Sequence, residues 1–163
     1  MKLKVKKLKE KCNICYSTEG SSGIDIELID DIKYDDFLVQ EQDDELPYES
    51  VANIPCGFCV EIPYGFEGQI RPRSSATKKG INIHFGTIDS DYRGEVYIQA
   101  SLICPETAME IDEKKDENNS LIIKKGTRIA QLVICPVQKC EIVFCDELSD
   151  TKRGSGGFGS TGR

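Results

Sequence analysis

The sequence predicts an all-β fold of sandwich or barrel type, and three observations predict it. Short apolar runs recur along the chain, turn signals interrupt them (Pro63-Tyr64-Gly65, Lys78-Lys79-Gly80, Lys125-Gly126), and no run sustains a helical period. The 163 residues, 39% of them hydrophobic, suffice for one domain with one ordinary core.

The elements follow in order. Leu3–Leu8 reads as an edge strand, apolar at Leu3, Val5 and Leu8, with lysines that blunt the edge against pairing with other chains. Ile24–Leu28, Ser50–Ile62, Glu67–Arg71, Gly80–Ile83 and Val96–Cys104 are the next strands, and Ser120–Lys124, Arg128–Pro136 and Glu141–Phe144 complete the set. Two charged stretches, Gln40–Glu49 and Pro105–Asn119, read as solvated insertions; the second has room for one short helix. The domain spans residues 1–150, and 151–163 form a Gly-rich arm with too little apolar surface to order by itself.

Composition excludes several function classes. A formal charge of −7 argues against a nucleic-acid backbone as the main partner, although a nucleotide site needs only a few local cations. No stretch approaches the ~20 apolar residues of a membrane span. The basic start lacks the apolar segment of a secretory signal, so a cytoplasmic protein is expected, or a nuclear one in a eukaryotic or viral setting. Eight cysteines are then expected reduced. Cys12/Cys15 and Cys56/Cys59 form two CxxC pairs, but about forty residues separate them, and the second pair lies in a strand that points its members to opposite faces. Buried thiols are the better reading than zinc, with Cys104, Cys135, Cys140 and Cys145 as small core residues.

Five clusters carry more polar or glycine residues than their strands need. SSGIDI (21–26) puts Asp25 at a strand start. RPRSS (71–75) supplies cations and hydroxyls. GTIDSDYRGE (86–95) holds three carboxylates and an aromatic. GTRIAQL (126–132) opens a strand with Arg and Gln. RGSGGFGSTG (153–162) combines glycines with Arg153, Phe158, Ser160 and Thr161. Glycines let backbone N–H groups converge on an anion, and an aromatic in such a tail is free to stack on a flat ring. Taken singly each is an ordinary turn or linker; together they suit a phosphorylated molecule containing a ring.

In this order the clusters resemble the five motifs of the trimeric deoxyuridine triphosphate nucleotidohydrolases (dUTPases), from the first strand to the last residues. The resemblance implies a β jelly-roll subunit and a homotrimer with three sites, each built from all three chains and closed by a C-terminal arm. It implies hydrolysis of dUTP to dUMP and pyrophosphate, which keeps uracil out of DNA and supplies dUMP for thymidylate. Asp89 is then the general base that activates a water for in-line attack on the α-phosphorus. Arg73, Ser74, Ser75 and Gln131 are expected to hold phosphates. Arg153, Gly159, Ser160 and Thr161 should grip the terminal phosphate, with Phe158 stacked on the uracil. Mg²⁺ is expected mainly on the phosphates, with Asp25 reaching it through water.

Specificity is expected from the hairpin Asn82–Asp89. Backbone groups there, around Gly86, Thr87 and Ile88, imitate a pairing base, and the pocket rejects a 5-methyl group. Tyr92 excludes a 2′-hydroxyl and Tyr97 borders the base. Where some relatives read uracil with an Asn, this chain has Ile83, with Asn82 adjacent, so the reading group stays open. His84 is read as structural or as reaching the base, and Arg128 as serving phosphates or an interface. A deoxycytidine triphosphate deaminase on the same fold needs a glutamate where this chain has Gln99 and an arginine where it has Lys78. The remaining alternative is a regulatory module that binds a protein partner through the acidic insertions.

Overall fold

A computed structural model describes residues 1–39, 48–49, 51–102 and 122–156. Its strands are β1 (Lys4–Lys7), β2 (Ile14–Cys15), β3 (Ile24–Glu27), β4 (Ile32–Lys33), β5 (Leu38–Val39), β6 (Tyr48–Glu49), β7 (Ala52–Glu61), β8 (Phe66–Pro72), β9 (Ile81–Ile83), β10 (Gly86–Ile88), β11 (Glu95–Leu102), β12 (Ile122–Ile123) and β13 (Arg128–Pro136). Helix α1 (Ser74–Lys78) and a 3₁₀ turn at Tyr34–Phe37 complete the described elements.

All pairings are antiparallel. One sheet runs β1-β7-β11-β9 and the other β10-β8-β13-β3-β2, with β12-β4 and β5-β6 as two-stranded ribbons. Period-two alternation explains why the long strands form: in β7, residues 52, 54, 56, 58 and 60 are buried, and in β11 residues 96, 98, 100 and 102 are. These side chains meet Ile26, Ile70, Ala130 and Leu132 of the second sheet in one continuous core. Burying each large side chain contributes about 1.5–3 kcal/mol. The lysine-bearing β1 lies at a sheet edge with all four residues exposed, as its sequence predicts.

Two glycines bend the frame. Gly57 takes φ 74° inside β7, where the register against β11 slips. Its peptide is fully satisfied: the Glu95 carboxylate accepts its N–H at 2.8 Å, and its carbonyl accepts from the amides of Leu8 and Lys9. Gly80, at φ 71°, turns the chain out of α1 toward β9.

Three expectations change. Residues 141–144 form no strand, because among the described residues nothing pairs with them; Ile142 is 82% and Phe144 95% exposed. On that same segment Cys140 and Cys145 are exposed, and Cys135 is half-buried, so they are not core thiols. Cys12 and Cys56 are buried, Cys15 is exposed and Cys59 lies between. Burial pushes the Cys56 thiol up to about 12, which keeps it protonated. Cys104, residues 40–47, residue 50, the whole of the second insertion and residues 157–163 lie outside the described residues. Among the described residues no helix is long and apolar enough to cross a membrane.

Candidate active site

The predicted site residues gather in two separate places. The first is a cavity of about 230 Å³ beside the β9–β10 connection, walled by His84, Gly86, Thr87, Ile88, Asp89, Tyr92, Glu95 and Tyr97 among others. The expected hairpin is not formed, because β9 pairs with β11 and β10 with β8 in the other sheet. Pairing of β10 with the edge of β8 (Gly86 opposite Ile70, Ile88 opposite Gly68) sets this wall. Asp89 follows directly and starts a tight turn, whose Tyr92 amide donates to the Asp89 carbonyl at 3.1 Å. Arg93 Nη1 staples the turn through the carbonyls of Ser90 and Tyr92, both at 2.8 Å.

Glu95 organises the aromatic side. Tyr92 Oη donates to its carbonyl at 2.9 Å and Tyr97 Oη to its carboxylate at 3.4 Å, while the other carboxylate oxygen holds the Gly57 amide. The Glu95 charge, with some burial, raises the Tyr97 phenol above its ordinary value. The Tyr92 ring lies over Gly94, where a Cβ would stand 2.3 Å from the hydroxyl.

The structure separates the residues considered as base readers. Asn82 is exposed, points to Ser101 Oγ at 3.4 Å and lines no part of this cavity; Ile83 is buried in the core. The alternation of β9 points Ile83 into the core and Asn82 to the opposite face, where Asn82 and His84 share Ser101 Oγ. His84 is the neighbour that lines the cavity, with Nε2 3.0 Å from Ser101 Oγ and its amide bonded to the Gln99 carbonyl.

The second place is another cavity of about 230 Å³, lined by Ser17, Ser21, Ser22, Gly23, Asp25, Arg73, Ser74 and Gln131. Its floor is a row across the sheet, Asp25 opposite Gln131 and Gln131 opposite Arg71. Arg73 caps α1, which carries Ser74 into the cavity; Ser75 is exposed and lies outside it. Gln131 Nε2 donates to the Pro72 carbonyl at 3.0 Å.

Asp25, 4% exposed, is the one buried charged or polar residue among the described residues. Its Oδ1 pairs with Arg73; its Oδ2 accepts from Ser17 Oγ and from Arg128 Nη1 at 3.2 Å. Arg128 also reaches Glu27 at 3.6 Å. Burial by itself would raise the Asp25 carboxyl, but hydrogen bonds from Ser17, Arg73 and Arg128 outweigh it and hold the group below its ordinary value. A carboxylate so engaged does not fit a metal held by the protein, and among the described residues no cluster of three or more His, Cys, Asp or Glu could hold one. Ser21 and Ser22 belong to the SSGIDI cluster, whereas Ser17 lies outside all five clusters and carries no signal beyond its hydroxyl.

The two cavities share no lining residue. Ile88 pairs with Gly68, so Asp89 lies beside Glu67, at the end of β8 away from Arg73 and about 20 Å along the strand from it, and one chain does not bring Asp89 onto the cationic cluster. Arg153 stands apart from both, its Nε bonded to the Gly156 carbonyl at 2.8 Å. Phe158, Gly159, Ser160 and Thr161 lie outside the described residues.

Comparison with known proteins follows the same lines. A family model described as dUTPase matches residues 10–162. The chain is 43% identical to the deoxyuridine 5′-triphosphate nucleotidohydrolase of Hydrogenobaculum sp. (strain Y04AAS1) over 99% of both chains. It is 43% identical to that of Nautilia profundicola over the whole of each. Among solved structures it resembles a Staphylococcus bacteriophage 80alpha dUTPase (G164S mutant) with dUpNHpp, at TM-score 0.78 and 27% identity over 99% of each chain.

Proposed function

The chain belongs to the dUTPase family and hydrolyses dUTP, and from that premise we propose how its two cavities act together. The first cavity takes the uracil and deoxyribose of the nucleotide. The serine- and arginine-lined cavity takes its phosphates. Their separation on one sheet is the observation that carries the rest: a nucleotide bridging base site and cation site needs those sites from two different copies.

A homotrimer supplies such a pairing. The exposed residues 141–148 favour it, since a run with Ile142, Val143, Phe144 and Leu148 in water is an unpartnered apolar surface. The reaction then runs as an in-line displacement. Asp89 of one copy takes a proton from a water as it attacks the α-phosphorus, and pyrophosphate leaves. Arg73, Ser74 and Gln131 of the next copy hold the phosphates in line and neutralise the developing charge. Mg²⁺ enters with the triphosphate as part of the substrate. The arm of residues 151–163 closes over the nucleotide, with Phe158 on the uracil. A cytoplasmic setting and a role in removing dUTP and supplying dUMP accord with this reaction.

The test is a pyrophosphate-release assay with Mg²⁺, comparing dUTP with dTTP, dCTP and UTP, with Asp89→Asn alongside. Expected are hydrolysis of dUTP alone and a loss of about 10²–10⁴ in kcat for the variant with little change in KM. An unaffected Asp89→Asn enzyme would remove the base assignment, and full activity in a monomeric species would remove the shared site.

A further inference from the structure

We propose that Ser17 is a positioning residue for the phosphate-binding arginines, its hydroxyl fixing the Asp25 carboxylate so that one oxygen holds Arg73 and the other Arg128. The proposal rests on the reading of this cavity as the phosphate site.

The geometry is specific to a hydroxyl. Ser17 Oγ donates to Asp25 Oδ2 and accepts from Arg128 Nη1 at 3.1 Å, and Arg128 Nη1 itself reaches Oδ2 at 3.2 Å. Three groups therefore close a triangle on one carboxylate oxygen and leave the other to Arg73. A serine hydroxyl is one donor and two acceptors, so it serves an anion and a guanidinium at once; a methyl group serves neither. Without it the carboxylate turns more freely about its terminal torsion, a broad and roughly twofold well, and can engage one guanidinium with both oxygens while releasing the other.

The fold delivers Ser17 to this place. Cys15 of β2 faces Asp25 of β3, which sets residue 17 two steps beyond the pairing. A turn then ties the segment down: Ser21 Oγ accepts the Thr18 amide at 3.0 Å, and the Ser21 amide donates to the Thr18 carbonyl at 3.1 Å. Ser17 is exposed, over a carboxylate that is not. Replacing an exposed serine is ordinarily silent, so a large and selective effect would identify this role.

The measurement is calorimetric titration of wild type, Ser17→Ala and Ser17→Thr with dUpNHpp and Mg²⁺, and with deoxyuridine, which carries no phosphate. Thermal unfolding and dUTP turnover accompany it. Ser17→Ala is expected to weaken dUpNHpp binding about five- to tenfold, raise KM for dUTP alike, and leave kcat within about twofold. Deoxyuridine binding stays put, the melting temperature falls by only about 2–4 °C, and Ser17→Thr restores wild-type affinity. Unchanged dUpNHpp affinity, equal weakening of deoxyuridine, or no recovery with Thr overturns the proposal. Wild type that binds dUpNHpp without hydrolysing dUTP would defeat the functional reading and leave Ser17 in its role; wild type that does not bind it would defeat both.

Discussion

Arg73 and Asp25 form an ion pair between two levels of the protein: the acid side chain is 6% exposed and the guanidinium 29%. The buried partner is anchored by the sheet, while the cation stays within reach of solvent and of an incoming anion. Breaking such a pair costs more than forming it contributes, because the surviving charge loses its partner.

Asp25→Asn should therefore lower the unfolding free energy by about 2 kcal/mol at pH 7. Because the folded carboxyl lies below its ordinary value, its contribution is complete above 3.8 and is lost as pH falls through the folded value. Urea unfolding of both proteins checks this. The gap between them should hold from pH 7 to about 4 and close at more acid pH; a gap that widens in acid would contradict the assignment.

Gly23→Ala tests the phosphate cavity without altering a charge. A Cβ there would stand 2.1 Å from Gln131 Oε1 and 2.8 Å from its Cδ, so the Gln side chain must swing off the Pro72 carbonyl. Since the far end of a flexible side chain gives way, stability should change little, by about 1 kcal/mol or less, while KM for dUTP rises about fivefold. Melting and steady-state kinetics together separate the two effects.

Gly94→Ala tests the sugar side. The new methyl group would occupy the space of the Tyr92 ring, 2.3 Å from its hydroxyl and 2.5 Å from Cζ, and expel it from the cavity wall. The preference for dUTP over UTP, measured as a ratio of kcat/KM values, should fall by about tenfold or more. Retained discrimination would show that Tyr92 is not the group that excludes the 2′-hydroxyl.

Much of the frame was legible because β7 and β11 run ten and eight residues and repeat their alternation several times, while β13 is a nine-residue, nearly continuous apolar run. What escaped was shorter than its own period. Helix α1 has five residues, little more than one turn, and looked like a turn between Arg71 and Ser75; β10 has three and was absorbed into the Gly86–Gly94 turn. Residues 141–144 erred the other way. Their apolar run promises a strand, but pairing is a property of a partner, which none of the described residues provides. At the site, residue type announced the carboxylates and cations at 25, 73 and 89. It did not announce Ser17, whose meaning depends on a strand register, nor that His84 and not Asn82 would line the cavity.

The distance between Asp89 and Arg73 on one chain bears on inheritance. If each working site draws its base from one copy and its cation from another, the two kinds of damage complement each other. A population of chains carrying Asp89→Asn and a second carrying Arg73→Ala are each inert alone. Co-expressed, they meet in mixed assemblies in which an intact acid faces an intact cation. Two recessive lesions in one gene would then behave in a cross as if they lay in different genes.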